Sequence, residues 1–582
     1  MPRKNHVIDL VTSWNGHEYV VSNLLSSRLQ YLKGEACLEF SIIFSSEFSS
    51  SRPICANQSE HCFEDEYNYL TSNKLLTVNR QIPGPAIQVC LHDIVVVNVE
   101  NRIPNQNVAI HWRGQSQVAS PLMDGVPMIT QCPIPSFTTF QYKFRASNVG
   151  THTWHLYNDE NGIFDNVYGM LVVRESIRKE VHQKLMDNDL SSHSIMLRTV
   201  KNSRQSMILI NGHNPSVQNS DTGISFKLHR NKRHRFRLIH SGGSNKCPIT
   251  CSIDGHEVLM IALDGNAIEP IQAKQFTFVA GERIDFIIWA DENEKEFDMK
   301  FMYLPSCDKK SVSIAKLKYT DSNSTTVISA NPFSKFPKSE QFSTVAMEHD
   351  EKLVSSLQNV KVLENPLPEI LKKNADITHY LYYGHKKTFL QNIKRKIDIA
   401  HINNITFKYP SSPLASQIND VPPNQICNKN EVPENCFQES STICECIHVI
   451  NVEKGSVVDI VLIHQDQKTE NGHIFHLHGH KFYLLNRLNS SDLKSISDIE
   501  SFDNFGKLSR YLEKPILKDT VWIPSGGLAI LRFSAENPGY WMLRDEESEG
   551  LEVVFNVFGS QYDVPAMFPR CGSFIGPKYF LA

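Results

Sequence analysis

Apolar and polar residues alternate with a period of two along much of the chain, which is the pattern of strands that bury one face. This alternation is clear in three segments, Phe140–Ala146, Ile284–Ala290 and Leu551–Val557. Two mainly apolar runs, Ile94–Val97 and Val457–Ile463, are typical of strands buried on both faces. Turn-forming Pro, Gly, Asn and Asp residues separate these segments, and helical periodicity is sparse. The pattern predicts an all-β fold made of β-sandwich domains.

Regions richer in Lys, Glu, Ser and Asn interrupt the strand pattern around residues 176–195 and 320–375, and both are predicted to be linkers or elaborated loops. A chain of 582 residues is also too long for one hydrophobic core. We therefore predict, in chain order, a partly disordered N-terminal extension at 1–64, domain 1 at 65–175, domain 2 at 185–320, a linker at 321–375 and domain 3 at 376–582.

Charge and cysteine content narrow the class of protein. The formal net charge of −4 gives no sign of the basic surface that nucleic-acid binding requires. No apolar stretch has the roughly 18 residues of a membrane-spanning helix. Thirteen cysteines favour an oxidising compartment, and four Asn-x-Ser/Thr triplets fit a secreted glycoprotein, at Asn57, Asn323, Asn404 and Asn489. A secretory signal has a basic start followed directly by an apolar run, whereas residues 1–36 are mixed polar sequence. We expect an extracellular protein whose signal is atypical or whose natural start differs from residue 1.

The segment His473–His480 carries four histidines in eight residues. His476, His478 and His480 recur with a period of two, so a strand would place their imidazoles on one face at metal-ligand spacing. The alternative is a cluster of solvated surface histidines. We favour the metal-derived interpretation because apolar residues lie between and beside the histidines.

These histidines belong to a set of motifs that occur in the order found in multicopper oxidases, in particular in the insect laccase-like members. The chain resembles that family from about Cys55 to its C-terminus. The motifs that carry the resemblance are Thr77–Pro85, Met123–Ile134, Gly150–His155, Gly281–Phe286, Cys444–His448, His473–His480, Lys518–Val521 and Asn537–Trp541. The resemblance implies three cupredoxin-like Greek-key β-sandwich domains, a type 1 copper in the third, and a trinuclear copper cluster between the first and third.

The resemblance also assigns metal-ligand positions, and five of them are histidine in this sequence. They are His473 for type 1 copper, His111 and His476 for type 2 copper, and His155 and His478 for the type 3 pair. Asp124 matches a residue that lies beside the trinuclear cluster in the family.

Other ligand positions carry residues that the family does not use there. The substituted positions are Arg113, Tyr157, Arg544, Asp545 and Glu546, and the last three stand where the family has His-Cys-His. The chain is also a few residues shorter than the family pattern just before Gly550, which removes the second type 1 histidine. The type 1 site therefore lacks the thiolate of blue copper sites. Arginine offers no lone pair to a metal, and its charge repels a copper ion.

We hypothesise that the guanidinium groups of Arg113 and Arg544 replace the missing metal charge. Buried charges must be paired, so each arginine should contact a carboxylate. The candidate carboxylates are Glu546, Asp545 and Asp124. The alternative for both arginines is ordinary surface charge.

A rival hypothesis keeps one metal ion. The surviving histidines, with Glu546 or Tyr157, could hold a single zinc, copper or iron ion, since imidazoles and a carboxylate suit all three. Copper is the cofactor of the family, and for this chain we expect either no metal or a single ion.

The cysteines are expected to support the fold. The resemblance implies disulfide bonds from Cys90 to Cys571 and from Cys132 to Cys247 or Cys251. A zinc knuckle is the alternative for one group, Cys427, Cys436, Cys444, Cys446 and His448. In an oxidising compartment, disulfides are favoured over zinc.

We interpret the chain as a laccase-like protein without the family's redox relay, and we expect no laccase, ascorbate oxidase or ferroxidase turnover. The expected role is extracellular binding or development, with an unidentified protein or small-molecule partner. The enzymatic alternative is a copper-dependent oxidoreductase that acts on phenols or ferrous iron with O2. A third alternative is an error in the predicted gene at the N-terminus and around residues 544–550.

Overall fold

The computed structural model describes residues 37–48, 74–157, 167–201, 206–214, 224–245, 247–304, 311–320, 333–345, 354–356, 360–363, 368–390, 395–428, 444–466, 472–489, 499–546, 548–559 and 562–572. Strands dominate these residues, which confirms the predicted all-β class. The described α-helices are short, and none could reach across a lipid bilayer: α1 (Glu369–Lys372), α2 (Leu414–Gln417) and α3 (Ile499–Asn504).

The strands of the N-terminal part of the chain are β1 (Cys37–Phe48), β2 (Lys74–Val78), β3 (Ile87–Cys90), β4 (Ile94–Asn101), β5 (Ile110–Arg113), β6 (Thr138–Arg145), β7 (Gly150–Leu156), β8 (Tyr168–Arg174), β9 (Ser194–Lys201), β10 (Ser206–Ile210), β11 (Ser225–His229), β12 (Arg233–Gly243), β13 (Ile249–Ile253), β14 (Val258–Leu263), β15 (Asn266–Phe278), β16 (Arg283–Trp289), β17 (Glu296–Tyr303), β18 (Val312–Thr320), β19 (Lys338–Ser343) and β20 (Val354–Ser356).

The strands of the C-terminal part are β21 (Ile377–Leu390), β22 (Arg395–Ile402), β23 (Ile405–Phe407), β24 (Ile426–Cys427), β25 (Cys444–Glu453), β26 (Val457–His464), β27 (His473–Leu477), β28 (Phe482–Leu488), β29 (Leu517–Lys518), β30 (Thr520–Ile523), β31 (Leu528–Ser534), β32 (Gly539–Asp545) and β33 (Glu552–Phe558).

The chain divides into two compact units. The first comprises Met1–Val108 and Ile134–Val360, and the second comprises Ala109–Pro133 and Lys361–Ala582. The finer division into three domains stays a prediction.

Sheets of mixed strand direction build the first unit. Its large sheet has the order β10-β9-β12-β16-β14-β15-β13-β17-β18-β11, and β19 and β20 extend it from β15. β19 lies within the region predicted to be a linker, and it pairs parallel to β15. Another sheet has the order β2-β1-β4-β6, and β8 joins β3 to β7. β1, which pairs parallel to β4, lies in the segment predicted to be an N-terminal extension.

Two strand predictions in the first unit fail in opposite ways. The apolar run Ile94–Val97 lies in β4, whose residues alternate between buried and half-buried, so only one face packs into a core. β16 is instead buried along nearly its whole length despite its alternating sequence. Asp285 is buried there because it accepts hydrogen bonds from Arg235 at 2.5 Å and from Thr151 at 2.6 Å. Paired charges can occupy a core that unpaired charges cannot.

One extended sheet forms most of the second unit, with the order β29-β28-β31-β26-β21-β22-β23-β25-β33-β32-β27-β30, and β24 pairs with β25. β26 is buried along its whole length, as its mainly apolar sequence predicts, and its one acidic residue, Asp459, is paired with Arg532 at 2.7 Å. β27 lies between β30 and β32 and is antiparallel to both. This arrangement places the histidine-rich segment in the interior of the unit.

The disulfide bonds differ from those that the resemblance implied. Cys132 is bonded to Cys571, while Cys90 and Cys251 are free thiols, so both implied pairings are wrong. The C-terminal segment reaches Cys132 because it packs on the turn after α2. There the Cys571 N–H donates to Gln417 Oε1 at 3.0 Å, and Arg570 pairs with Asp420.

Cys427 is bonded to Cys446, and Cys444 is also in a disulfide. A sulfur in a disulfide is not a thiolate ligand, so this group does not form the alternative zinc knuckle. Cys436 lies outside the described residues. Of the four Asn-x-Ser/Thr sites, Asn57 and Asn323 also lie outside them, whereas Asn404 is exposed in the turn between β22 and β23.

Candidate metal centre

Two strands of the second unit carry the residues of the candidate site. β27 is fully buried, and its His476 lies opposite Thr520 of β30 and Arg544 of β32. β5 carries His111 and Arg113, two residues apart and therefore on the same face of the strand. His478 follows β27 directly.

A group of three imidazoles forms the centre of the site. His111, His476 and His478 are almost fully buried, and one ligand nitrogen from each lies within 4.8 Å of the others. The Nε2 atoms of His111 and His476 are 3.2 Å apart, and the rings of His111 and His478 are 4.0 Å apart between centroids. We call these three residues the histidine triad.

The other ring nitrogen of each triad histidine has a fixed partner. Nδ1 of His111 lies 2.9 Å from the carbonyl oxygen of Asp124, and Nδ1 of His476 lies 2.8 Å from the carbonyl oxygen of Asp519. Nδ1 of His478 lies 2.8 Å from Oδ2 of Asp124. Such contacts fix a proton on Nδ1 and leave Nε2 as the ligand atom, which is the usual arrangement around a metal-bound histidine.

Burial keeps the triad ready to bind a cation. It lowers the pKa of His478 to about 3, with the neighbouring His111 adding to the effect. It also lowers the pKa of His476, and the charge of Arg113 adds to that shift. Neutral imidazoles are the form that binds metals. The donor set of the triad therefore fits a single ion that accepts nitrogen ligands.

Arg113 is buried beside the triad. Its Nη1 donates to Glu546 Oε1 at 2.7 Å, and its Nη2 donates to Thr520 Oγ1 at 2.7 Å. Thr520 in turn donates to Asp519 Oδ1 at 2.8 Å. The guanidinium side chain is 2% exposed and that of Glu546 is 22% exposed. Arg113 is thus a fixed cation with a carboxylate partner, in contrast to the surface-charge alternative.

Arg544 and Asp545 do not join the ion pair of Arg113 in the contacts described, and each has partners of its own. Arg544 is half-buried, donates from Nε to the carbonyl oxygen of Asp545 at 3.2 Å, and lies opposite Glu552 on β33. The Asp545 carboxylate accepts the Ile474 N–H at 3.1 Å and lies 3.2 Å from Nδ1 of His473. The carboxylate of Asp124 contacts two of the triad histidines, His111 at 3.3 Å and His478 at 2.8 Å.

The surroundings of His473 do not fit a blue copper site. Such a site needs a cysteine thiolate. Every cysteine of the second unit whose side chain is described is in a disulfide: Cys132, Cys427, Cys444, Cys446 and Cys571. The free thiols of the described residues, Cys90 and Cys251, belong to the first unit.

His155 and Tyr157 lie in the first unit. His155 is in β7, opposite Tyr168 of β8, and is half-buried. Tyr157 follows the end of β7 and is buried.

Several residues of the site were not identified from the sequence. Asp519 contacts His476 through its carbonyl oxygen, and Thr520 accepts a hydrogen bond from Arg113. In the sequence, both are marked only by their place in the motif Lys518–Val521. His464 is fully buried near His473 and directly follows the mainly apolar run Val457–Ile463. The hydrophobic periodicity of the sequence did not distinguish this histidine from others.

Comparison with known proteins gives the family context. Family models described as multicopper oxidase match three segments of the chain, residues 63–177, 179–322 and 410–549.

Curated relatives and solved structures agree with these matches. The chain is 24% identical to the iron transport multicopper oxidase FET3 of Saccharomyces cerevisiae, over 84% of this chain and 73% of the relative. It is 24% identical to Laccase-6 of Arabidopsis thaliana, over 86% and 92% of the two chains. The crystal structure of Fet3p, a multicopper oxidase that functions in iron import, is similar with a TM-score of 0.64 and 20% identity, over 90% of each chain. The laccase from Botrytis aclada is similar with a TM-score of 0.61 and 20% identity, over 91% and 89%. The likeness to these structures shows that the fold is cupredoxin-like.

Proposed function

Because the chain belongs to the multicopper oxidase family, we propose that it is a member that keeps the family's scaffold without its electron relay. In this proposal the type 1 and type 3 copper sites are degenerate, and the protein acts by binding rather than by oxidation. Its place of action is extracellular, and its partner is a protein or small molecule of unidentified chemistry. The affiliation with insect laccase-like members with degenerate sites is part of the same proposal.

The observation that carries the proposal is the buried ion pair of Arg113 and Glu546 beside the histidine triad. The guanidinium cannot be deprotonated and offers no lone pair. A unit charge about 4 Å from another costs roughly 4 kcal/mol at an effective dielectric constant of 20, and a divalent ion would feel about twice that cost. The guanidinium therefore places one fixed positive charge beside the triad, which Glu546 partly offsets, and it opposes the binding of copper ions there.

The surroundings of His473 support the same conclusion. Bound copper would supply one-electron chemistry in this family, and electron entry needs a soft thiolate donor. Nδ1 of His473 faces Asp545 at 3.2 Å, and a carboxylate is a hard donor. A histidine beside a carboxylate suits proton exchange or a redox-inert ion better than electron transfer.

The proposal is tested by copper reconstitution under anaerobic and then aerobic conditions. We expect no intense blue absorption band and no oxygen consumption with a phenol or with ferrous iron. A laccase carried through the same procedure serves as the positive control. A blue band together with substrate-dependent oxygen uptake would show that the chain is an oxidase.

The geometry of the histidine triad favours a second candidate function, binding of a single metal ion. Three Nε2-directed imidazoles with fixed Nδ1 partners suit zinc or copper. Elemental analysis of the purified protein and of the His476→Ala variant tests this candidate. A metal that is present in the parent protein and lost in the variant would support it. A parent protein with neither zinc nor copper after incubation with both would remove it.

A further inference from the structure

The turn between β22 and β23 contains an Asn-x-Thr triplet, Asn404-Ile405-Thr406. The two strands are antiparallel, and Ile402 lies opposite Ile405, so two residues form the connection. These residues, Asn403 and Asn404, have φ angles of 55° and 62°. A two-residue turn with positive φ at both positions is the usual connection of a tight hairpin. The triplet therefore begins at the tip of a well-defined hairpin.

Asn403 has a structural role in this turn. Its Oδ1 accepts the Tyr382 N–H at 2.9 Å, and its Nδ2 donates to the carbonyl oxygen of Tyr380 at 3.1 Å. Its backbone N–H donates to the carbonyl oxygen of Tyr382 at 2.7 Å. Asparagine also tolerates the left-handed backbone better than most other residues. The hairpin geometry and these hydrogen bonds thus account fully for Asn403.

Asn404 differs from its neighbour because its side chain is exposed to solvent. Among the described contacts, its side-chain amide takes part in no hydrogen bond. Its backbone is nevertheless held in place, since its carbonyl oxygen accepts the Cys444 N–H at 2.9 Å. Cys444 is itself in a disulfide bond. Asn404 therefore presents a primary amide to solvent from a backbone that is fixed on β25.

Thr406 supplies the hydroxyl group of the triplet. It lies in β23, is half-buried, and donates from Oγ1 to the carbonyl oxygen of Ala400 at 2.8 Å. An amide followed two residues later by a hydroxyl is the acceptor motif for N-linked glycosylation. Because the hairpin engages this hydroxyl, the complete motif is accessible before β22 and β23 pair. Folding then leaves the amide of Asn404 outside and the hydroxyl of Thr406 inside.

The other Asn-x-Ser/Thr sites lack this combination in the described residues. Asn489 is half-buried just after β28, and Ser491, which completes its triplet, lies outside the described residues. A glycan is bulky and polar, so the fold must leave the modified amide at the surface. Asn404 meets this requirement with its complete triplet described.

We propose that Asn404 carries an N-linked glycan. The donor is an oligosaccharide linked to a lipid pyrophosphate. Nδ2 of Asn404 loses a proton and forms a bond to the anomeric carbon of the sugar, while the sugar–phosphate bond breaks and the lipid pyrophosphate leaves with its electron pair. This inference rests on the extracellular location in the proposed function. It does not depend on the loss of oxidase activity.

Peptide mass spectrometry of the secreted full chain tests the site. Expression in cultured eukaryotic cells with an added cleavable secretory signal makes the test independent of the natural signal. We expect the peptide with Asn404 to carry a glycan, and peptide N-glycosidase in heavy-oxygen water should convert that residue to a labelled aspartate. Asn404→Asp, which tolerates the same backbone, should lose the glycan.

Variants of Thr406 separate the acceptor motif from the turn. Thr406→Ser keeps the hydroxyl and should keep the glycan, whereas Thr406→Ala should lose it while Asn404 is unchanged. Asn489→Gln is the matched control, and its Asn404 peptide should be modified as in the parent protein. Thermal unfolding of each secreted variant checks that its fold is kept.

Two outcomes would overturn the proposal. One is an unmodified Asn404 peptide in the secreted parent protein, which would show that Asn404 serves the turn alone. The other is a glycan that persists on Asn404 in Thr406→Ala. The proposed function fails by different results. Retention of the chain inside the cell without the added signal would contradict its extracellular location, and copper-dependent oxygen uptake would contradict its loss of oxidase activity.

Discussion

Arg113 and Glu546 form a 2.7 Å ion pair in the interior of the second unit, although they are 433 positions apart in the chain. Both occupy positions where the family resemblance places metal ligands. A buried arginine is tolerated only with a partner, and Glu546 together with Thr520 provides one. The two substitutions are therefore explained together: each would leave an uncompensated charge without the other.

Replacing Arg113 with Met should destabilise the protein. The change keeps most of the side-chain volume but leaves Glu546 without its cation. Breaking a buried ion pair costs about 3–5 kcal/mol, and we expect a value near the lower end because Glu546 is partly exposed. Chemical denaturation of the parent protein and of Arg113→Met measures the difference.

Arg102→Met is the matched control for that experiment. Arg102 also forms a 2.7 Å ion pair, with Glu100, but the side chains are 53% and 38% exposed. Exposed pairs contribute little to stability, so this variant should be nearly neutral. Equal effects of the two substitutions would contradict the view that Arg113 is a buried structural cation.

Replacing Arg113 with His should strengthen metal binding at the histidine triad. The substitution removes a positive charge and adds an imidazole at a position that the family uses for a ligand. We expect at least roughly tenfold tighter binding of Cu²⁺ or Zn²⁺, which corresponds to about 1.4 kcal/mol. Calorimetric titration of the parent protein and of Arg113→His measures the change. Unchanged affinity would show that the arginine does not limit metal binding there.

Stability should fall as the pH decreases from about 6.5 to about 4, partly through His448. This residue is 1% exposed, neither ring nitrogen has a hydrogen-bond partner in the described structure, and burial lowers its pKa to about 4. The unfolded chain, with a histidine pKa near 6.5, binds a proton in this range that the folded chain does not, so acid favours unfolding. The full effect is about 3 kcal/mol.

His448→Leu removes this titration and should reduce the loss of stability between pH 6.5 and 4 by a similar amount. His229→Leu, at an exposed position, should leave the pH dependence as it is. The free energy of unfolding at several pH values checks both expectations. A His448→Leu variant with the pH profile of the parent protein would exclude His448 as a source of the effect.

The Cys132–Cys571 disulfide should hold the C-terminal segment on the second unit. Cys571→Ser is expected to cost about 2–4 kcal/mol, because the bond constrains the unfolded chain. Mass spectrometry of peptides from the non-reduced protein should identify the Cys132–Cys571 link. A peptide that links Cys90 to Cys571 would support the pairing implied by the family resemblance.

The fold class was predictable from the sequence because strand periodicity is a local property. The exceptions show where local reasoning stops. β16 is buried because Asp285 finds Arg235 and Thr151, partners that are distant in the chain. The burial of β4 residues alternates because only one face of the sheet packs into a core. The apolar run Ile94–Val97 does not indicate which face that is.

The sequence also indicated most of the candidate site, since the family resemblance assigns His111, His476 and His478 to metal-ligand positions. It did not indicate the partners that make the site, because these depend on strand register. Thr520 lies opposite His476 in β30, and Tyr383 lies beside His464 through the parallel pairing of β21 and β26. The wrong disulfide pairings have the same origin, because chain order does not fix which sulfur atoms meet.

The most direct test of the central claim is oxygen consumption by the copper-saturated protein in the presence of ferrous iron or a phenol. The account predicts the same rate with and without copper loading, because no thiolate is available near His473 among the described residues and Arg113 opposes copper beside the triad. A copper-dependent rate that ceases when the metal is removed would contradict it.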